Sequence, residues 1–194
     1  MGAAVRGIDL SEESVGAAAA HAAGDPLIAS RVAYRRCSAE DELAAAAAEG
    51  RVAYDVVVAS EVIEHVRSPG EFLKTLAALA GAGGSGDGAS GGGGSGGGRG
   101  GGRVVISTLN RTPAAFALAV VGAEYVTGLV PRGTHDWSKF ITPQELALMA
   151  SDAGLEVEQV AGMGLDPLRR GGRFVLTDDL GVNYIALLRA RGGQ

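Results

Sequence analysis

Two short runs, "YDVVVAS" (54–60) and "RVVISTL" (103–109), are apolar almost without alternation. A strand with one face in water alternates apolar and polar residues. A continuous apolar run is what a parallel sheet buries on both faces. Parallel neighbours need a crossover, usually a helix. Here "SPGEFLKTLAALAG" lies between the runs and sets Phe72, Leu73, Leu76 and Leu79 on one side. The same alternation precedes it. "AAVRGID" reads as a strand ending at Asp9. Ser11 then caps a helix through "EESVGAAAAHAA", with Glu12 and Glu13 in its first turn. "RVAYRRC" is a second strand candidate, and "SAEDELAAAAAEG" a second helix with Ser38 near its start. Later, "TPQE" is a capping box: Thr142 caps, Pro143 takes the first helical position and Glu145 reaches back. The helix "QELALMASDAG" follows, and "LEVEQVAGM" and "VNYIALLRA" are the last strands. The pattern predicts an α/β fold with a mostly parallel sheet, in one domain over residues 1–194.

Composition bounds the function. The net charge of −5 leaves no basic footprint for nucleic acid. The single cysteine, Cys37, excludes an intramolecular disulfide, which fits a reducing compartment. No apolar run reaches the roughly 18 to 20 residues that a membrane span needs. Most of the 32 glycines lie between Gly81 and Gly102, in "GAGGSGDGASGGGGSGGGRGGG". Such a stretch cannot bury apolar surface, and reads as an expanded loop joining two core elements. A phosphate cradle would place glycines at fixed offsets before a helix, whereas here a strand follows.

Ligands of open α/β sheets sit at the carboxyl ends of the strands. That directs attention to Asp9, to the residues after Cys37, to Ser60–His65 and to Thr108–Arg111. Asp9 can accept two hydrogen bonds from a ribose diol, or serve as a helix N-terminal carboxylate. Glu61, Glu64 and His65 stand at i, i+3 and i+4. On a helical turn they share one face and can hold a divalent cation, or His65 can act as a general base. A solvated first turn explains the same residues. Asp136 suits a loop turn, His135 a packed or exposed imidazole, His21 a structural place on an Ala-rich helix, and Cys37 a small core position. From Ala114 to Val130 the chain is apolar, with Leu118, Val121 and Tyr125 on one helical face. That face is core or, with Arg132, Trp137 and Lys139 beside it, a lid or membrane-surface helix.

Four stretches, "GIDLSEESVGAAAAHA", "YDVVVASEVIEHV", "VVISTLNRTPAAFALAVVGAEYVTGLVPRGTHDWSKFITPQEL" and "GVNYIALLRA", together closely resemble the ubiquinone-biosynthesis O-methyltransferases. The similarity covers nearly the whole chain except the glycine loop. The resemblance implies a class I methyltransferase (Rossmann-like) fold: a seven-stranded, mostly parallel sheet with an antiparallel last strand, binding S-adenosylmethionine. It implies that Asp9 holds the cofactor ribose and that Ser60 lies against the cofactor. It makes Glu61, Glu64 and His65 a magnesium (Mg2+) site, with Glu64 and His65 catalytic. The implied reaction is O-methylation of polyprenyl-tailed catechols, a polyprenyl dihydroxybenzoate and demethylubiquinol. The apolar insert over 112–140 would cover the site and approach the membrane. Other ubiquinone-biosynthesis proteins are the implied partners. The implied place is the matrix side of the mitochondrial inner membrane, or the cytoplasmic membrane in a bacterium.

The family's first strand and its glycine-rich turn are expected just upstream of "GAAVRGID", and the chain does not contain them. The expectation is therefore a fragment that binds S-adenosylmethionine weakly by itself. Two readings follow: a methyltransferase whose longer form is active, or an inactive binding subunit of the biosynthetic complex.

Overall fold

The computed structural model describes residues 2–50, 54–82, 101–118, 136–166 and 173–191. Most of the glycine loop, the greater part of the apolar insert and His135 lie outside the described residues. The chain divides into two units, residues 1–52 and 53–194.

The first unit contains β1 (Val5–Asp9), α1 (Glu12–Ala23), β2 (Val32–Arg36) and α2 (Ala39–Ala48). β1 and β2 pair in parallel, in register from Val5 with Val32 to Asp9 with Arg36. Both helices begin as predicted. The Ser11 hydroxyl accepts the Ser14 N–H at 3.2 Å. Ser38 and Asp41 form a reciprocal capping box. Donation from Ser38 to the Asp41 carboxylate holds that carboxyl below its usual range. Glu42, only 3% exposed, meets Arg6 at 3.2 Å and Arg35 at 3.6 Å, so its buried charge is paired.

The second unit contains β3 (Val56–Ser60), α3 (Pro69–Leu79), β4 (Arg103–Leu109) and a three-residue helix α4 (Pro113–Ala115). A 3-10 turn (Trp137–Lys139), α5 (Pro143–Asp152), β5 (Leu155–Asp166), β6 (Arg173–Thr177) and β7 (Asn183–Ala190) follow. Its sheet has the order β3-β4-β7-β5-β6. β3 and β4 are parallel, and β7 is antiparallel to both β4 and β5. β5 therefore runs in the direction of β4, and the reversed last strand is the one anticipated. β6, antiparallel to β5, was not foreseen. Its five residues, "RFVLT", are too short and too flanked by charge and glycine to stand out. Among the described residues, the first unit has a two-stranded sheet and the second a five-stranded one.

Val104 and Ile106 of β4 and Tyr184, Ala186 and Leu188 of β7 are fully buried on one face. Leu73 and Leu76 of α3 and Leu146 and Ala150 of α5 join them in the core. The opposite face is more open: Val56 is 53% and Val58 66% exposed. Burial of β3 on both faces, expected from its apolar run, is not found, because only the other face of the strand, with Ala59, meets the core. Tyr184 is buried, and its hydroxyl donates to the Ile141 carbonyl at 3.0 Å. Burial, then the charges of Glu145 and Glu64, raise its phenol well above the usual range.

The ends of the glycine loop have defined jobs. Gly81, at φ 82°, takes the left-handed turn after α3. The Gly102 N–H donates to the Ala80 carbonyl at 2.8 Å, and a Cβ there would collide with the Tyr54 carbonyl oxygen. Gly70, inside α3, has open space where its Cβ would be. Gly102→Ala is therefore expected to destabilise the fold by about 1–3 kcal/mol through overpacking, and Gly70→Ala to stabilise it by about 0.5–1 kcal/mol. Urea unfolding of the two variants measures both, and equal shifts would contradict the packing described.

Candidate active site at the ends of β3 and β4

β3 stops at Ser60, and Glu61 turns the chain with φ 53°, a left-handed conformation uncommon outside glycine. The next residues form a turn closed by the His65 N–H on the Val62 carbonyl at 2.9 Å. No helix forms here. The i, i+3, i+4 alignment proposed for Glu61, Glu64 and His65 is therefore not realised.

The carboxylates are instead sorted by β4. Neighbouring residues on a strand point to opposite faces. The Ser107 hydroxyl donates to Glu61 Oε1 at 2.8 Å and lies 2.9 Å from the Ser60 hydroxyl. The Thr108 hydroxyl, on the other face, donates to Glu64 Oε2 at 2.8 Å. Thr108 is fully buried and Glu64 is 4% exposed. Two carboxylates three residues apart are thus held on the two sides of one strand end. This geometry gives the magnesium assignment no support. Among the described residues no group of three His, Cys, Asp or Glu side chains could hold a metal ion, and this triad does not fit one.

A cavity of about 680 Å³ opens on the Glu64 side. Glu64, His65 and Arg67 line it from the loop after β3, Arg111 from the end of β4, Lys139 from the 3-10 turn and Glu145 from α5. Phe140, Leu148 and Met149 supply apolar wall. Its position matches the rule that ligands gather at carboxyl strand ends. The loop after β4 is firmly held. The Asn110 side-chain amide donates to the Leu180 carbonyl at 2.8 Å, its N–H to Val182 at 2.8 Å, and the Thr112 hydroxyl to Gly181. Arg111, between these anchors, forms an ion pair with Glu145. Glu145 also accepts the Thr142 N–H at 2.9 Å. That donor first, and then Arg111, hold the Glu145 carboxyl below its ordinary range. The capping box of α5 and one wall of the cavity are therefore the same residue.

Asp9 stands at the end of β1 in the first unit, exposed. Its Oδ1 accepts the Ser11 N–H at 2.7 Å, while its other oxygen takes no bond among the described residues. Both readings of Asp9 survive: it supports the helix start and retains an outward acceptor. Asp136 caps the 3-10 turn through Ser138, and Cys37 is buried. Leu118 is exposed, and Phe116 meets Trp137 edge to face at 6.2 Å. Sequence reasoning pointed to Thr108–Arg111 as a strand end but gave no role to Thr108 or Arg111, and did not single out Ser107 or Arg67. A strand end placing "ST" and then "NR" opposite "SEVIEH" was the available signal.

A family model described as a methyltransferase domain matches residues 1–85. The mitochondrial ubiquinone biosynthesis O-methyltransferase of Arabidopsis thaliana is 40% identical over 96% of this chain, which spans 50% of that relative. Among solved structures, the magnesium protoporphyrin IX methyltransferase of Synechocystis, determined with bound SAH, aligns with a TM-score of 0.58 at 18% identity. It covers 97% of this chain and 65% of its own, and it supports the class I methyltransferase fold. The ubiquinone biosynthesis O-methyltransferase of Methylococcus capsulatus is 40% identical over 97% of this chain and 68% of its own length. At that identity over almost its whole length, this chain belongs to the ubiquinone biosynthesis O-methyltransferase family.

Proposed function

We propose that this chain provides the methyl-accepting side of an S-adenosylmethionine-dependent O-methyltransferase acting on polyprenyl-tailed catechols of ubiquinone biosynthesis. The observation that carries the reading is the buried Glu64, fixed by Thr108 and lining one cavity with His65 at the carboxyl ends of β3 and β4. Bound S-adenosylmethionine supplies an electrophilic methyl group on a sulfonium. Asp9 offers its outward oxygen to the ribose diol.

The chain's own task is the acceptor hydroxyl. A catechol is a poor nucleophile while protonated. His65 takes its proton, imidazole being the side chain that titrates around neutral pH. Glu64 keeps its own place through Thr108. With the cofactor bound, the oxygen would take the methyl group as the carbon–sulfur bond breaks, which would discharge the sulfonium. The proton then leaves from His65 to water. No step is routed through magnesium, because Glu61 and Glu64 are held on opposite faces of β4.

The substrate's tail calls for a lipid-facing entrance. Phe116 (44% exposed) meets Trp137 (40%), whose indole donates to the Thr112 carbonyl, and Leu118 is exposed as well. Such a group suits the interface of a membrane. Among the described residues no helix is long and apolar enough to cross one. We place the protein peripherally on the membrane of the ubiquinone pathway beside its other enzymes, on the matrix side of the inner membrane in a mitochondrion.

His65→Ala is expected to lower methylation of a farnesylated catechol by about a hundredfold or more with an unchanged circular dichroism spectrum; near-wild-type turnover would remove the base. Glu64→Ala strands the buried Thr108 hydroxyl and is expected to cost about 1–3 kcal/mol of stability, a loss that Glu64→Gln largely avoids. Trp137 is the only tryptophan, so its emission reports the lipid contact directly: anionic vesicles should shift it to the blue, and an unmoved spectrum would dispose of the membrane patch.

A further inference from the structure

β6 ends the five-stranded sheet and pairs only with β5 among the described residues. Its other edge presents backbone N–H and C=O groups, a template on which a further strand can build. Proteins commonly blunt such an edge with a charge or a proline along it. The middle of β6, "RFVLT", has neither. Phe174, Val175 and Leu176 are uncharged, and they are 76%, 38% and 69% exposed. Alternation along the strand puts Phe174 and Leu176 on one face and Val175 on the other. The charges stand at the two ends instead. Arg173 opens the strand, Asp178 and Asp179 follow it, and all three are exposed. None of them makes an ion pair among the described residues.

A strand with opposite charges at its ends and a bare apolar middle complements itself when turned end for end. We propose that two copies of this chain associate through β6, edge to edge and antiparallel, joining their five-stranded sheets across a two-fold axis. The symmetry restricts the register. Such an axis keeps each face of the sheet on its own side, so every residue meets one an even number of positions from itself. Val175 opposite Val175 uses the whole strand. It sets Phe174 of each copy against Leu176 of the other, two apolar pairs on one face. It also sets Arg173 of each copy opposite Thr177 of the other, next to that copy's Asp178 and Asp179. Centring on Leu176 instead would press Phe174 against Asp178, and centring on Phe174 would take Arg173 away from the acids. No residue of β6 lines the cavity at the ends of β3 and β4, so the pairing stands apart from the methyl-transfer reading. One five-residue strand per copy is a small interface, which sets the dissociation constant at about 10–100 μM.

Sedimentation velocity of the full chain over a concentration series spanning that range tests the pairing. The wild type should pass from monomer to dimer. Phe174→Glu should weaken the dimer about tenfold or more with an unchanged circular dichroism spectrum. Arg173→Glu should weaken it as well, and so should Asp178→Lys/Asp179→Asn. The asparagine keeps an acceptor for the Gly181 N–H, which Asp179 Oδ1 takes at 2.8 Å. An equal mixture of these two charge variants should dimerise like the wild type, because both end contacts again join opposite charges. A chain that stays monomeric, an association that Phe174→Glu leaves unchanged, or a mixture no tighter than its parts would overturn the proposal. Vesicles of neutral phospholipid test the rival occupant. Binding lost in Phe174→Glu, by a chain that remains monomeric, would give the strand to a lipid surface and overturn self-pairing too.

Discussion

The 2.8 Å hydrogen bond from Thr108 to Glu64 is the contact on which the candidate site depends. It ties the loop after one parallel strand to the end of the next. A buried carboxylate needs such a donor, because an unsatisfied charge in a core costs several kcal/mol. The neighbouring Ser107 takes Glu61 in the opposite direction. The alternation of β4 therefore decides which acid faces the cavity and which does not. Among the described residues no buried side-chain polar atom lacks a partner, so this sorting is complete.

The support for that strand end comes from β7 and α5. Thr108 pairs in register with Tyr184, whose hydroxyl holds the Ile141 carbonyl. Ile141 in turn donates its N–H to Leu109 at 3.2 Å. One step further, Thr142 and Glu145 cap α5, and Glu145 also engages Arg111. Helix capping, strand register and the cavity wall are thus one continuous set of bonds. A change in any of them should be felt as altered geometry at His65 as well as altered stability.

Much of this was legible in the residues. Ser11, Ser38 and Thr142 each cap the helix expected of them. The four apolar positions read on one side of α3 are all buried. The reversed direction of the last strand matches the family likeness. At the site, Glu64 and His65 were picked out and do line the cavity, whereas the shared helical face of Glu61, Glu64 and His65 was an illusion of spacing. Periodicity presumes a helix, and the left-handed Glu61 removes it. Arg67 and Arg111 could not be ranked from spacing, since an arginine in a loop is ordinarily a solvated charge.

By itself the sequence determined the alternation of strands and helices, where helices start, and the family, because these depend on local chemistry and on residue identity. Tertiary structure decided which face of β3 meets the core and which hydroxyl of β4 takes which carboxylate. Those outcomes depend on register between segments far apart in the chain. A one-residue slip in β4 would exchange Ser107 and Thr108 between faces, and no reading of either stretch alone contains that choice.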